Sequence, residues 1–330
     1  MSGLKSKIVL ISPAVAAANN GNWHTAHRWT KFLSGDCDIA IAQSLSEYDA
    51  RIEQFDLMIA LHARRSAESI HRWAQRSPSK PLILVLTGTD LYRDIDTDAK
   101  AVQSLELATH LVVLQEAGLA ALPVRFRSKA CVIYQSAPRL TSAVKPKHRF
   151  NAVMVGHLRD EKDPLTFINA AGLCDLKNVR FEQIGDGLDA VLAAAATRAA
   201  AAQSNYRWLG GLPRAQTRQH IKRASILVNC SLMEGGAHVI LEAVQSGTPV
   251  LASRISGNLG MLGVAYDGYF DVGDPAGLVA LVKRCATDPL FLASLQTQCE
   301  QRVELFNPAV EKRLVVQLIE SSRTRRLGNR

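Results

Sequence analysis

Short apolar runs alternate with longer stretches of helical period along most of the chain. Strand-like runs fall at Lys7–Ser12, Asp38–Ala42, Phe55–Leu61, Pro81–Thr87, His110–Leu114 and Ala130–Tyr134. Helical patterns separate several of them, at Trp23–Leu33, Arg64–Gln75 and Thr97–Leu107. Strands alternating with helices predict an α/β unit with a parallel, doubly wound sheet. The pattern then breaks at Pro138 and Pro146, among the basic residues Arg139, Lys145, Lys147 and Arg149, which reads as a linker. A second β/α series starts with FNAVMV at Phe150. Its further strands are expected at Val179–Ile184, Tyr206–Leu209, Ile226–Val228, Val250–Ala252 and Tyr269–Gly273. Helices are expected at Val191–Ala202, Pro213–Ala224, Ala276–Ala286 and Leu290–Leu305, and a last one from Pro308. The division that follows is a first domain over 1–140, a linker over 141–149, a second domain over 150–306, and a terminal helix with a basic tail over 307–330.

The most informative stretch is Ser225–Ser253. A short strand leads through a polar turn to Glu234-Gly235-Gly236, and from Ala237 the period becomes helical, with Val239, Ile240, Ala243 and Val244 on one face. A glycine turn at a helix start can present backbone N–H groups and the positive end of the dipole to a phosphate. Glu234 and Glu242 frame the turn. Carboxylates accept well from paired sugar hydroxyls; on spacing alone the plainer account is a dipole-complementing Glu and a solvated one. The loop from Gly156 to Pro164 carries two cations, Arg159 and Lys162, able to clamp a diphosphate or to pair with Asp160 and Glu161. In doubly wound sheets ligands bind beyond the carboxyl ends of the strands. In the first domain that points to Asn20–His24, His62–Arg65 and Thr87–Asp90, where Arg64 and Arg65 offer charge to an anion or are merely solvated. The run Asp94–Asp98 lacks the glycine and closing Glu of a calcium loop. Capping of a helix by Asp96 or Thr97 is the simpler account.

Composition narrows the classes. The 330 residues are 47% hydrophobic and 21% charged, as expected of two globular domains. No apolar run approaches the roughly 18 residues that span a bilayer, and the start of the chain does not read as a signal peptide. The expectation is a cytoplasmic protein. Cys37, Cys131, Cys174, Cys230, Cys285 and Cys299 are scattered singly, without a zinc or thioredoxin spacing. The net charge of +9 suits an anionic substrate, although Arg323, Arg325, Arg326 and Arg330 place part of it in the tail. No nucleic-acid-binding signature is present.

The central stretch resembles the donor-site signature of retaining GT-B glycosyltransferases: Ser231, Glu234, Gly235, Leu241, Glu242, Ala243, Gly247, Pro249 and Val250 match. Gly236, Ala237 and His238 depart from it, at positions the resemblance places against the donor sugar. Gly156, Leu158, Glu161 and Lys162 are similar to a second motif of that group, with His157 where an Arg is usual. Gly185 and Gly210 resemble its later donor-site turns. The resemblance implies two Rossmann-like domains facing across a cleft, with the terminal helix crossing back to the first domain. It also implies a donor site from Gly156, Gly185, Gly210, Gly235, Gly236, Ala237, His238, Val239 and Glu242, with Arg159, Lys162 and Glu234 at the reacting centre. In the first domain, SPAVAAANNGNWHTAHRW, ALHARRSAESI and LTGTDLYRDI are similar to the selenosugar synthase family of selenoneine biosynthesis. That resemblance implies a UDP-sugar donor, typically UDP-N-acetylglucosamine, and a selenophosphate acceptor held by Asn20, Gly21, Asn22, Arg64, Arg65 and Thr87. No metal or further cofactor is implied, and the oligomeric state is left open.

Overall fold

A computed structural model describes residues 5–13, 21–141, 143–146 and 148–324. Asn20, Lys147 and the tail residues Arg325, Arg326 and Arg330 lie outside the described residues. In chain order the elements are β1 (Ser6–Ile11), α1 (Gly21–Leu33), β2 (Cys37–Ala42), β3 (Leu57–Leu61), α2 (Ala67–Arg76), β4 (Leu82–Val85), α3 (Ile95–Thr97), α4 (Ala99–Leu107), β5 (His110–Val113), α5 (Ala117–Ala121), α6 (Val124–Arg127) and β6 (Ala130–Val132). There follow β7 (Phe150–Val155), α7 (Pro164–Leu173), β8 (Val179–Ile184), α8 (Ala190–Ala202), β9 (Tyr206–Trp208), α9 (Arg214–Arg223), β10 (Ile226–Asn229), α10 (His238–Val244), β11 (Val250–Ser253), α11 (Ser256–Leu262), β12 (Tyr269–Phe270), α12 (Pro275–Thr287), α13 (Pro289–Glu300) and α14 (Pro308–Thr324).

The chain divides into two units. The first runs to Gln135 and resumes at Pro308, and the second is Ser136–Asn307. The first holds a six-stranded sheet of order β2-β1-β3-β4-β5-β6, parallel throughout. Its inner strands β1, β3, β4 and β5 bury both faces, which is why they read as apolar runs rather than alternating ones. Val9, Ile11, Met58, Ala60 and Leu84 pack against Ile70 and Trp73 of α2 and Leu105 of α4. The intervening residues Ile8, Leu10, Ile59, Ile83 and Val85 pack against Trp29 and Leu33 of α1 and Val315, Leu318 and Ile319 of α14. The terminal helix therefore completes the core of the first unit, as the fold resemblance implies. A buried ion pair fixes it there: Glu311 accepts from Arg28 at 2.7 and 2.9 Å and from the Trp29 indole at 2.8 Å.

The second unit holds a parallel sheet of order β12-β11-β10-β7-β8-β9. Three of its helices open on Asp-Pro. The side chains of Asp163, Asp274 and Asp288 cap α7, α12 and α13, and the following proline takes the first turn. The residues before Phe150 adhere to this unit: Leu140 N–H donates to Gln245 O at 2.9 Å, and the half-buried Lys145 ammonium donates to Lys222 O and Thr248 Oγ1. Burial, and then the neighbouring Lys222, pull the Lys145 pKa down to about 8.

Several element boundaries differ from the sequence expectation. α2 begins at Ala67, so Arg64 and Arg65 lie in the loop after β3 and not in a helix. Asp98 caps α4 by accepting from Lys100 N and Ala101 N; Asp96 and Thr97 do not. Asp94 is buried instead of capping. α5, α6 and α11 are too short to show a helical period, and Leu45–Gln54 is wound as 3-10 helix and broken at Tyr48, so it does not follow the α-helical one. Each sheet has a switch point, where successive connections leave in opposite directions: between β1 and β3 in the first, between β7 and β10 in the second. Among the described residues no helix is long and apolar enough to cross a membrane, and no group of three or more His, Cys, Asp or Glu is placed to hold a metal ion.

Candidate active site

The loops after β7, β8 and β9 are laced together by backbone hydrogen bonds. Gly156 N–H donates to Ile184 O, Leu158 N–H to Asp186 O, and Gly185 N–H to Gly210 O, at 2.8 to 2.9 Å. Gly185 has φ +149°, and a Cβ there would lie 2.0 Å from Gly156 O, so only glycine permits the approach. The Lys162 stem lies over Gly156, in contact with where a Cβ would sit. From there Lys162 crosses to the loop after β10, which is also joined by Leu232 N–H donating to Glu161 O at 2.9 Å.

Lys162 Nζ meets Glu234 Oε1 at 2.5 Å, bridging the β7/β10 switch point. The same oxygen accepts from Ser231 Oγ at 2.7 Å and Asn229 Nδ2 at 3.4 Å. Among the described residues nothing donates to Oε2. Burial opposes ionisation of Glu234, but Lys162, Ser231 and Asn229 outweigh it and hold the pKa below the usual carboxylate range. The turn is buttressed from behind: Ser253 Oγ donates to Ser231 O at 2.6 Å, and a Cβ on Gly257 would strike Glu234 O.

Glu242, only 5% exposed, repeats the arrangement. Its Oε1 accepts from Arg214 Nε at 3.3 Å and NH2 at 3.1 Å, with Arg218 Nε at 3.8 Å and His238 Nε2 at 3.4 Å. Oε2 again has no donor among the described residues. Burial pushes the Glu242 pKa up, but His238, Arg214 and Arg218 prevail and bring it down to about 2. The second carboxylate is thus neither solvated nor unpaired. Arg214 and Arg218 were missed in the sequence; their i, i+4 spacing after Pro213 was the available signal.

Of the expected donor-site residues, the structure brings together Gly156, Lys162, Gly185, Gly210 and Glu234. Gly235 and Gly236 connect Glu234 to α10, where Ala237 holds the extended N-cap position and His238 and Val239 begin the helix. Arg159 does not join the Lys162–Glu234 pair. It is 45% exposed, with Nε 3.8 Å from Glu161.

In the first unit, Gly21 and Asn22 open α1, and Gly21 O accepts from Thr25 Oγ1 at 2.9 Å. Arg64 is engaged, with Nε donating to the buried Asp94 at 2.8 Å. Arg65 is exposed, and Thr87 N–H donates to Asp90 Oδ1 at 2.9 Å. His62, Thr89 and Asp90, from the same strand-end segments, are hydrogen-bonded into this group, and the buried Asp94 joins them through Arg64. Asp90 is wholly buried and also accepts from Gly88 N and Ala63 N, tying the end of β4 to that of β3.

Residues 141–304 match the model of the family described as "Glycosyl transferases group 1". This segment is a glycosyltransferase group 1 domain. A Xenopus tropicalis protein, "Glycosyltransferase 1 domain-containing protein 1", is 28% identical over 184 residues, 55% of this chain. The match spans 52% of that protein's length. Among solved structures, Anabaena HepE in complex with UDP and glucose superposes with TM-score 0.76 at 15% identity, over 96% of this chain and 100% of that one. Sucrose-phosphate synthase from Thermosynechococcus elongatus gives 0.77 at 15% identity, over 96% and 99%. At such identities the likeness is one of fold: the glycosyltransferase group 1 domain sits in a two-domain α/β chain of GT-B architecture.

Proposed function

We propose that the chain is a glycosyltransferase that moves a sugar from a UDP-sugar, UDP-N-acetylglucosamine by preference, to selenophosphate, releasing UDP. The observation that carries the transferase reading is the pair of carboxylates in the group 1 domain. Each spends Oε1 on protein donors and keeps Oε2 for a hydroxyl-bearing ligand. A UDP-sugar donor is supported by the neighbouring HepE structures, which contain UDP, UDP with glucose, and UDP-glucose. The selenium part is supported by the first-unit segments that resemble selenosugar synthases.

In this reading Glu242 Oε2 accepts from the ribose hydroxyls. Glu234 Oε2 and the N–H groups of Gly235 and Gly236 hold the hexose. The diphosphate lies against Ala237, His238 and Val239, where backbone N–H groups of the first helical turn are unused by the helix. A selenium lone pair forms the C–Se bond at the anomeric carbon as the C–O bond to UDP breaks, and that electron pair goes to the departing phosphate oxygen. Lys162, with Arg159 as a second cation, stabilises the charge that develops there. Lys162 is held by Glu234 until the donor arrives, so binding has to redirect a cation already in place.

The test is UDP release from UDP-N-acetylglucosamine with selenophosphate, with phosphate and with no acceptor. Release that requires selenophosphate, with a selenium-bearing sugar in the mass spectrum, supports the whole reading. Release equal in all three arms removes the selenophosphate acceptor and leaves a transferase of another acceptor or a hydrolase.

A further inference from the structure

His62 is a non-glycine residue in the left-handed region, with φ +72°, directly after β3 and beside the β1/β3 switch point. That backbone costs on the order of 1 kcal/mol for a residue with a Cβ, and it turns a 2% exposed imidazole back over the ends of β3 and β4. Both ring nitrogens are engaged. Nδ1 accepts from the Arg65 backbone N–H at 3.4 Å, so in the neutral ring the proton is on Nε2. Nε2 lies 3.0 Å from Thr89 Oγ1 and therefore donates to it. Thr89 Oγ1 is an acceptor in that bond, and among the described residues its own proton has no acceptor. The result is a half-buried hydroxyl that accepts from His62 and keeps its own proton to donate.

The surroundings select the kind of ligand. Asp90 accepts from three backbone N–H groups, Asp94 is held by Arg64 and Arg93, and each has an oxygen 3.9 Å from a ring nitrogen of His62. Neither carboxylate accepts from the Thr89 hydroxyl. Arg65 stands exposed on the same loop as His62. A hydroxyl with a proton to donate, bonded to the loop that carries the exposed Arg65, suits a small oxyanion.

We propose that the Thr89 hydroxyl, aimed by His62, is a binding donor to an oxygen of the phosphate-type acceptor, with Arg65 supplying the countercharge. Thr89 touches the ligand, and His62 is a positioning residue that acts through it. The inference rests on the reading of a selenophosphate acceptor and gives definite roles to two residues, His62 and Thr89, that the sequence marked only as part of the strand ends.

The experiment compares wild type, Thr89→Val, Thr89→Ser and His62→Asn for the selenophosphate KM and for UDP affinity by calorimetry. Asn tolerates the left-handed backbone but is too short to replace the imidazole. Thr89→Val is expected to raise the selenophosphate KM about tenfold, the loss of one hydrogen bond to a charged group. Thr89→Ser should stay within about twofold of wild type, His62→Asn should follow Thr89→Val, and UDP affinity should be the same in all four. An unchanged KM in Thr89→Val overturns the inference while leaving the acceptor intact. Weakened UDP binding in that variant overturns it too, since the effect is then not one of acceptor contact. A wild type without selenophosphate-dependent release overturns the acceptor reading itself, and this inference with it.

Discussion

Lys162 and Glu234 are 72 residues apart and meet at 2.5 Å, one from the loop after β7 and one from the loop after β10. The contact spans the point where the second sheet changes direction. It is mostly shielded, with the side chains 18% and 11% exposed. Removing one partner leaves the other partly buried and unpaired, whereas removing both does not. Lys162→Ala and Glu234→Gln should therefore each destabilise more than half as much as the double variant. A coupling of about 1–2 kcal/mol in urea unfolding is expected. Strict additivity would mean that the pair is a surface contact without energetic weight.

Glu242 predicts a pH dependence. Its pKa falls from 4.5 to about 2 on folding, which corresponds to on the order of 3 kcal/mol. The folded value is the depressed one, so this stability is present above pH 4.5 and is lost as the pH falls towards 2. Glu242→Gln should flatten that part of the stability curve. Arg214→Ala should move the loss to higher pH, because one of the cations holding the carboxyl down is gone. Both are read from urea midpoints between about pH 5 and pH 2.5. Curves that superpose on wild type would show the acid loss to come from other carboxylates.

How much of this was legible in the chain depended on local pattern. The fully buried strands announced themselves as apolar runs, and the Gly235–Gly236 turn stood out where the helical period begins. What was not legible was pairing. Nothing in the sequence near Glu242 says that Arg214 and Arg218, on a different helix, will neutralise it, since only the packing of α9 beside α10 brings them within reach. The same holds for Arg64, expected from the sequence to face an anionic acceptor or solvent, and in the structure the partner of buried Asp94. His62 stood in a segment singled out as a strand end, but its left-handed backbone has no sequence signature: glycine or asparagine is the usual occupant.

Glu311 predicts how the terminal helix is held. It has no exposed side-chain surface and neutralises Arg28 of α1. Glu311→Ala leaves that guanidinium and the Trp29 indole N–H without their acceptor. A loss of about 3 kcal/mol is expected in urea unfolding, with UDP affinity unchanged, because the donor residues all lie in the second unit. A variant as stable as wild type would assign the docking of α14 to Val315, Leu318 and Ile319 alone.

The most direct test of the account is turnover by Lys162→Ala with UDP-N-acetylglucosamine and selenophosphate, at saturating concentrations of both. The account places Lys162 at the leaving phosphate oxygen, so kcat should fall at least a hundredfold, the usual effect of losing a donor aimed at transition-state charge. UDP should still bind, through Glu242 and the first turn of α10. A Lys162→Ala variant with an undiminished kcat would contradict the account, leaving Lys162 as no more than the structural partner of Glu234.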